Sequence, residues 1–241
     1  MTGTVWGVGL GPGDPDLMSL RADRLIRAAR HVAYFRKAGR KGQARAIVEG
    51  MLHPEAVEFA MEYPVTTEIA LDDPRYNTAL AGFYADCVAH LRDLAGGGSD
   101  VVVLCEGDPF FYGSFMHLHS RLLGLAPIRV VPAITGMSAA WTATDLPITW
   151  GDDVLTVLAG TLPEAELARR MADTDALVVM KLGRNLDKVR RALAAAGRLA
   201  DAWLVECATM PGETRMRLSE AGDRAAPYFS IVLVHGRGRR P

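Results

Sequence analysis

The chain has 241 residues, 49% of them hydrophobic, and 27 Lys and Arg against 28 Asp and Glu give it a formal net charge of -1. That is enough apolar material for one large or two small cores, and the near-neutral balance argues against nucleic acid as a partner. Three scattered cysteines without a C-x-x-C suggest neither a disulfide framework nor a metal site; with no charged-then-apolar leader and no run long enough to cross a bilayer, the expectation is a soluble, cytoplasmic protein with no membrane partner.

A short strand over 4–8 leads into the loop Gly7-Val-Gly-Leu-Gly-Pro-Gly-Asp14-Pro15. A helix is expected over 15–30, with Asp14 as N-cap and Pro15 at its first position, where no N–H is needed. The glycines resemble a dinucleotide fingerprint, but the register fails. Counted from Gly7, Pro12 stands in the last glycine's place; counted from Gly9, Asp14 does. A nicotinamide-dependent oxidoreductase is disfavoured on that ground. A second strand over 31–35 is followed by five basic residues in ten, Arg36 to Arg45, with two glycines. This reads as a mobile loop, either solvated or gathering a polyanionic small molecule.

A strand near 57–61, a loop over 63–73 and a helix over 74–94 come next, the helix closed by Gly96-Gly97-Gly98. The glycines lead into Val101–Cys105, five apolar residues that read as a strand buried on both faces. It breaks at Glu106-Gly107-Asp108-Pro109, and a helix carrying Phe115, Leu118 and Leu122 follows, with Ser114 as the expected N-cap. Open α/β sheets bind ligands at such strand-to-helix loops, so 106–114 is the first candidate for an active site. Beyond it lie a strand over 128–131 and a helix of small residues opening over 133–140. Residues 147–153, with proline, glycine and two aspartates, read as a linker that divides the chain into domains 1–148 and 149–241.

The second part alternates again, with strands over 154–158, 176–182, 202–207 and 230–235, helices over 163–171 and 186–196, and a polar, turn-rich insertion after Cys207. The fold class is α/β, in two domains. The basic tail over 236–240 reads as a solvated end. His117 and His119, two apart, point to different sides of a helix and make a poor metal pair. His117 and Arg121, four apart, share a face and suit a carboxylate. Neither a G-x-S-x-G elbow nor a G-x-x-x-x-G-K-[ST] phosphate loop is present.

Five segments together resemble the successive motifs of the tetrapyrrole methylases: G-x-G-x-G-P-G-D-P from Gly7, E-G-D-P-F-F-Y-G-S from Glu106, I-T-G-M-S-A from Ile134, V-V-M-K from Val178 and E-C-A-T-M-P from Glu206. The runs from Gly107 and from Gly151 are most similar to members that methylate carbon 20 of precorrin-2. The resemblance implies two α/β domains with S-adenosylmethionine in the cleft between them, S-adenosylhomocysteine as product, a tetrapyrrole substrate and a homodimer. Carried over position by position, it puts cofactor contacts on Pro12, Glu106, Gly107, Asp108, Phe111, Thr135, Gly136, Ser138, Met180 and Ala208. Family members often carry glycine at the position of Glu106, which leaves open whether its side chain or its backbone meets the cofactor. Arg36, Lys37, His117, Arg121 and Arg215 are candidates for holding the substrate's carboxylates. The base that accepts the carbon-20 proton is not named by the sequence; Asp14 and Asp108 qualify by position, His117 and His119 by imidazole chemistry. A cobalt-bound substrate, a ribosomal-RNA methylase and a non-catalytic binding module remain as alternatives.

Overall fold

The computed structural model describes residues 2–65 and 73–239. Most of the loop expected over 63–73, and Arg240 of the tail, lie outside the described residues. The chain forms two compact units, Met1–Thr135 and Gly136–Pro241.

The first unit is built on strands β1 (Val5–Gly9), β2 (His31–Lys37), β3 (Val57–Tyr63), β4 (Val101–Cys105) and β5 (Ile128–Val131). Their order is β3-β2-β4-β1-β5, and every neighbouring pair is parallel. The uninterrupted apolar run of β4 takes the centre, where all five residues are buried. Its alternate residues Val101, Val103 and Cys105 pack against Tyr84, Cys87 and Leu91 of α3 (Pro74–Gly96) and against Phe115, Leu118 and Leu122 of α4 (Phe115–Leu122).

From β1 the chain passes to β2 on one side of the sheet, whereas from β4 it passes to β5 on the other. Right-handed crossovers send these two connections, which leave the adjacent strands β1 and β4, to opposite faces of the sheet. Such a topological switch point is where open sheets hold ligands.

Local chemistry changes three expectations in this unit. The helix expected over 15–30 is broken: Asp14 caps a short turn by accepting from the Asp16 N–H at 2.9 Å, and α1 (Leu20–Ala28) starts anew behind Ser19. The Ser19 hydroxyl accepts from the Ala22 N–H at 3.1 Å, a local bond that competes with continuing the helix. Ser114 makes no capping bond, because its oxygen accepts the Tyr63 hydroxyl instead. The basic segment is structured, with Arg36 and Lys37 inside β2 and Arg45 inside α2 (Gln43–Ile47).

The second unit has strands β6 (Leu155–Ala159), β7 (Ala176–Met180), β8 (Trp203–Glu206), β9 (Thr214–Arg217) and β10 (Ser230–Val234), in the order β6-β7-β10-β8-β9. β6 and β7 are parallel; β10 runs antiparallel to β7 and β8. The insertion after Cys207 folds back as the edge strand β9, antiparallel to β8. Leu167 and Met171 of α6 (Glu164–Ala172) and Val189 and Leu193 of α7 (Leu186–Ala195) cover one face. α5 (Gly136–Ala143) covers the other, where Ala140 and Ile148 join Val178, Val205 and Leu233. The boundary between units therefore falls before α5, whereas the sequence placed it after residue 148. The proline and glycine of 147–153 mark a turn inside the second unit, where the Gly236 N–H donates to the Ile148 carbonyl at 2.9 Å. Among the described residues no helix is long and apolar enough to cross a membrane.

Candidate active site

Five parallel strands bring five loops to one edge of the first sheet, and the loop after β4 binds to the others. Its Gly107 N–H donates to the Gly11 carbonyl at 2.9 Å, and the Leu10 N–H to the Cys105 carbonyl at 2.9 Å, which ties it to β1. Glu106 Oε1 accepts from the Ala44 N–H at 3.0 Å, which ties it to α2. Asp108 Oδ1 accepts from the Phe110 N–H at 2.9 Å, while Oδ2 accepts from the Ala133 N–H at 3.0 Å in the loop after β5. The Tyr63–Ser114 bond adds the end of β3. Both carboxylates of E-G-D are thus engaged within the protein, Glu106 through its side chain and Asp108 through both oxygens.

The glycine-rich motif has a packing cause. A Cβ on Gly7 would stand 2.3 Å from the Phe115 ring, and one on Gly9 would stand 2.6 Å from Ala133 Cβ and 2.8 Å from the Gly107 carbonyl oxygen. These positions let α4 and the loops after β4 and β5 close onto β1; a dinucleotide's phosphate is not their reason. Pro12 is buried beside them, and half-buried Asp14 caps its turn.

Phe111 is half-buried, edge-on to Tyr112 with ring centroids 4.9 Å apart. Tyr112 has φ 56°, a left-handed conformation that costs a non-glycine residue about 1–3 kcal/mol and tends to occur at functional sites. Phe110, Tyr112 and Ile134 are 49%, 41% and 42% exposed, unusual for such large apolar groups. The two histidines diverge as their spacing requires. The His119 ring lies edge-on to Phe110 at 4.7 Å, against the loop after β4. The His117 ring lies 4.9 Å from Tyr84 on α3, and the Arg121 guanidinium is 5.2 Å from the same Tyr84 ring. His117 and Arg121 do share a face, and it is packed on Tyr84.

Arg36 and Arg215 have acidic partners. Arg36 donates through Nε to Glu62 at 2.8 Å, its cross-strand neighbour on β3. Arg215 pairs with Asp145 and also donates to the Ala143 carbonyl. Arg121 donates to the His117 carbonyl at 2.9 Å and remains exposed. Lys37 ends β2, and Thr135 ends the first unit.

In the second unit, Met180 ends β7 and Ala208 follows β8, and both pack on the α5 side of the sheet. Gly136 and Ser138 lie in the first turn of α5, with Ile231 Cδ1 3.7 Å from where a Gly136 Cβ would be. Left-handed conformations recur here at Lys181 (φ 57°), Cys207 (φ 51°) and Thr209 (φ 65°), each just beyond a strand end. Sequence reasoning missed Ala44, Ala133 and Tyr63. Each contributes a backbone amide or one hydroxyl from an ordinary-looking segment, which leaves no residue-type signal.

Comparison with known proteins places these features. A family profile, Tetrapyrrole (Corrin/Porphyrin) Methylases, matches residues 4–222. A precorrin-2 C(20)-methyltransferase of Sinorhizobium sp is 52% identical over 99% of this chain and 98% of its own. A cobalt-precorrin-2 C(20)-methyltransferase of Salmonella typhimurium is 30% identical, over 98% and 97%. The uroporphyrin-III C-methyl transferase of Thermus thermophilus complexed with S-adenyl homocysteine has a TM-score of 0.69 at 25% identity, covering 97% of this chain and 92% of that one.

Proposed function

Because the chain belongs to the tetrapyrrole (corrin/porphyrin) methylases, we propose that it is a precorrin-2 C(20)-methyltransferase, methylating carbon 20 of precorrin-2 with S-adenosylmethionine as donor. The observation that carries the reading is the 52% identity, end to end, with a relative of that name. The relative named for the cobalt-bound substrate is more distant, at 30%.

S-adenosylmethionine, when bound, supplies a methyl group on a positively charged sulfur. The residues fit such a group, since the exposed apolar side chains of Phe110, Tyr112 and Ile134 suit an adenine and a thioether chain. The resemblance to the family assigns Pro12, Gly107, Phe111, Thr135, Gly136, Ser138, Met180 and Ala208 to hold it. The backbone of Glu106 and Asp108 belongs to the same loop; the Asp108 carboxylate sets the loop's shape, while that of Glu106 reaches out of it to α2. Phe110, Tyr112 and Ile134 exclude water, so that most of the rate comes from holding the reacting atoms in line.

Arg36, Lys37, His117, Arg121 and Arg215 are assigned to the substrate's carboxylates. His119 is assigned the proton that leaves carbon 20, because of the two candidate imidazoles its ring is the one against the loop after β4, and both oxygens of Asp108 in that loop already accept amides. His119→Gln is expected to lower kcat by about 100-fold or more with the affinity for S-adenosylhomocysteine unchanged. Undiminished kcat removes His119 from that role. A soluble cytoplasmic homodimer completes the reading, and light scattering that finds a monomer contradicts the dimer. Calorimetric titration with S-adenosylhomocysteine tests the cofactor, and turnover of precorrin-2 tests the substrate.

A further inference from the structure

Helix α2 begins without a cap of its own. Its N-cap position is Gly42, which has no side chain to offer. Nothing larger fits there, since a Cβ would stand 2.6 Å from the Phe35 carbonyl oxygen. First-turn N–H groups need an acceptor from outside the helix. Glu106 provides it from 62 residues away, accepting the Ala44 N–H at 3.0 Å. Burial pushes the Glu106 carboxyl up from the ordinary carboxylate range, and the Ala44 N–H opposes that by favouring the charged form.

The segment around this bond is fixed at several points. Arg45 of α2 donates to Glu58 of β3 through Nε at 2.7 Å and Nη2 at 3.0 Å. Arg36 is paired with Glu62 at the upstream end. Between these anchors runs the turn that carries Lys37, Arg40 and Lys41, closed by the Arg40 N–H donating to the Lys37 carbonyl at 3.0 Å. The Glu106 bond is the anchor that reaches this turn from the loop after β4. β2 already pairs with β4 as far as Tyr34 and Leu104, and the Glu106 bond extends that tie from the loop after β4 to α2.

We propose that Glu106 is a positioning residue: through Ala44 and α2 it fixes the basic turn against the loop after β4, so that the substrate's carboxylates are held in register with the methyl donor. Glu106 itself touches neither substrate nor cofactor through its carboxylate and takes no proton from carbon 20. The inference rests on the methyl-transfer reading and gives the basic segment its place in it.

The test uses the full-length protein as wild type, Glu106→Ala and Glu106→Gln. S-adenosylhomocysteine affinity is measured by calorimetry, KM and kcat with precorrin-2, and amide hydrogen exchange over α2. Glu106→Ala is expected to raise KM by about tenfold, the change that follows from losing one charge-assisted hydrogen bond. kcat and S-adenosylhomocysteine affinity stay within about twofold, and exchange at Ala44 accelerates. Glu106→Gln, whose amide oxygen still accepts from Ala44, restores most of the KM. Loss of kcat in both variants makes Glu106 part of the chemistry, and weakened S-adenosylhomocysteine binding in both makes it a cofactor contact; either result overturns the proposal. Normal wild-type turnover with an unshifted KM in Glu106→Ala sinks this inference alone. A wild-type protein that binds S-adenosylhomocysteine but methylates no precorrin-2 sinks the functional reading, and this inference with it.

Discussion

Asp108 offers a direct way to ask whether the candidate cofactor loop is held from within. Its two oxygens accept from the Phe110 and Ala133 amides at 2.9 and 3.0 Å, which closes its own loop and joins it to the loop after β5. A hydrogen bond to a charged acceptor contributes about 1.5–3 kcal/mol, and half-burial of Asp108 favours the lower end. Asp108→Ala removes both bonds and is expected to cost about 3 kcal/mol. Asp108→Asn keeps one oxygen but turns an amide donor toward an N–H, so it is expected to cost about 2 kcal/mol. Urea denaturation reads the loss, and titration with S-adenosylhomocysteine reads its effect on the site. Both variants are expected to bind S-adenosylhomocysteine more weakly, in the same order as they lose stability. A variant that loses affinity while keeping wild-type stability would refute the reasoning, because the carboxylate would then act on the ligand itself.

Two further outcomes follow from packing and from burial. Gly9→Ala forces a methyl group into contact with Ala133, Gly107 and Pro109, all under 3.0 Å, and is expected to destabilise the first unit by about 2–3 kcal/mol; a thermal melt of this variant matching wild type contradicts the packing argument. His235 is held below its ordinary pKa of 6.5 by burial, opposed by the Pro147 carbonyl that accepts from Nδ1 at 2.8 Å and reinforced by the charge of Arg217. The unfolded chain therefore takes up this proton first, so stability that is full above pH 6.5 declines as the pH falls through the lowered value. His235→Gln removes this contribution to the slope of a denaturation series in pH, and an unchanged slope rules out His235 as its source.

Most of the elements were legible because their causes are local. The apolar run of β4, the glycines after α3 and the alternating pattern of the second unit each specify their own conformation, and every strand except β9, which was read as part of an insertion, falls within one or two residues of expectation. What was not legible depends on partners distant in sequence. Met18-Ser19 breaks a helix through a serine hydroxyl that could equally have faced solvent. The unit boundary moves ahead of α5 because Ala140 and Ile148 pack on β7, β8 and β10, which no turn signal announces. At the candidate site the motif residues could be read, but their roles could not. Glu106 and Asp108 look from the sequence like ligands for a cofactor, and in the fold they accept amides of Ala44, Phe110 and Ala133. The register removed Gly7 from a dinucleotide fingerprint without saying what it does, and in the fold it makes room for the Phe115 ring. The histidine spacing was sufficient to separate His117 from His119, because helical geometry alone fixes that divergence.

The central claim is tested most directly by turnover with methyl-labelled S-adenosylmethionine, offering precorrin-2 and its cobalt form in parallel and locating the label by carbon NMR. The account predicts label at carbon 20 of the metal-free product. Label at carbon 20 of the cobalt form alone would reassign the substrate, and transfer to neither, despite tight binding of S-adenosylhomocysteine, would contradict the proposed function.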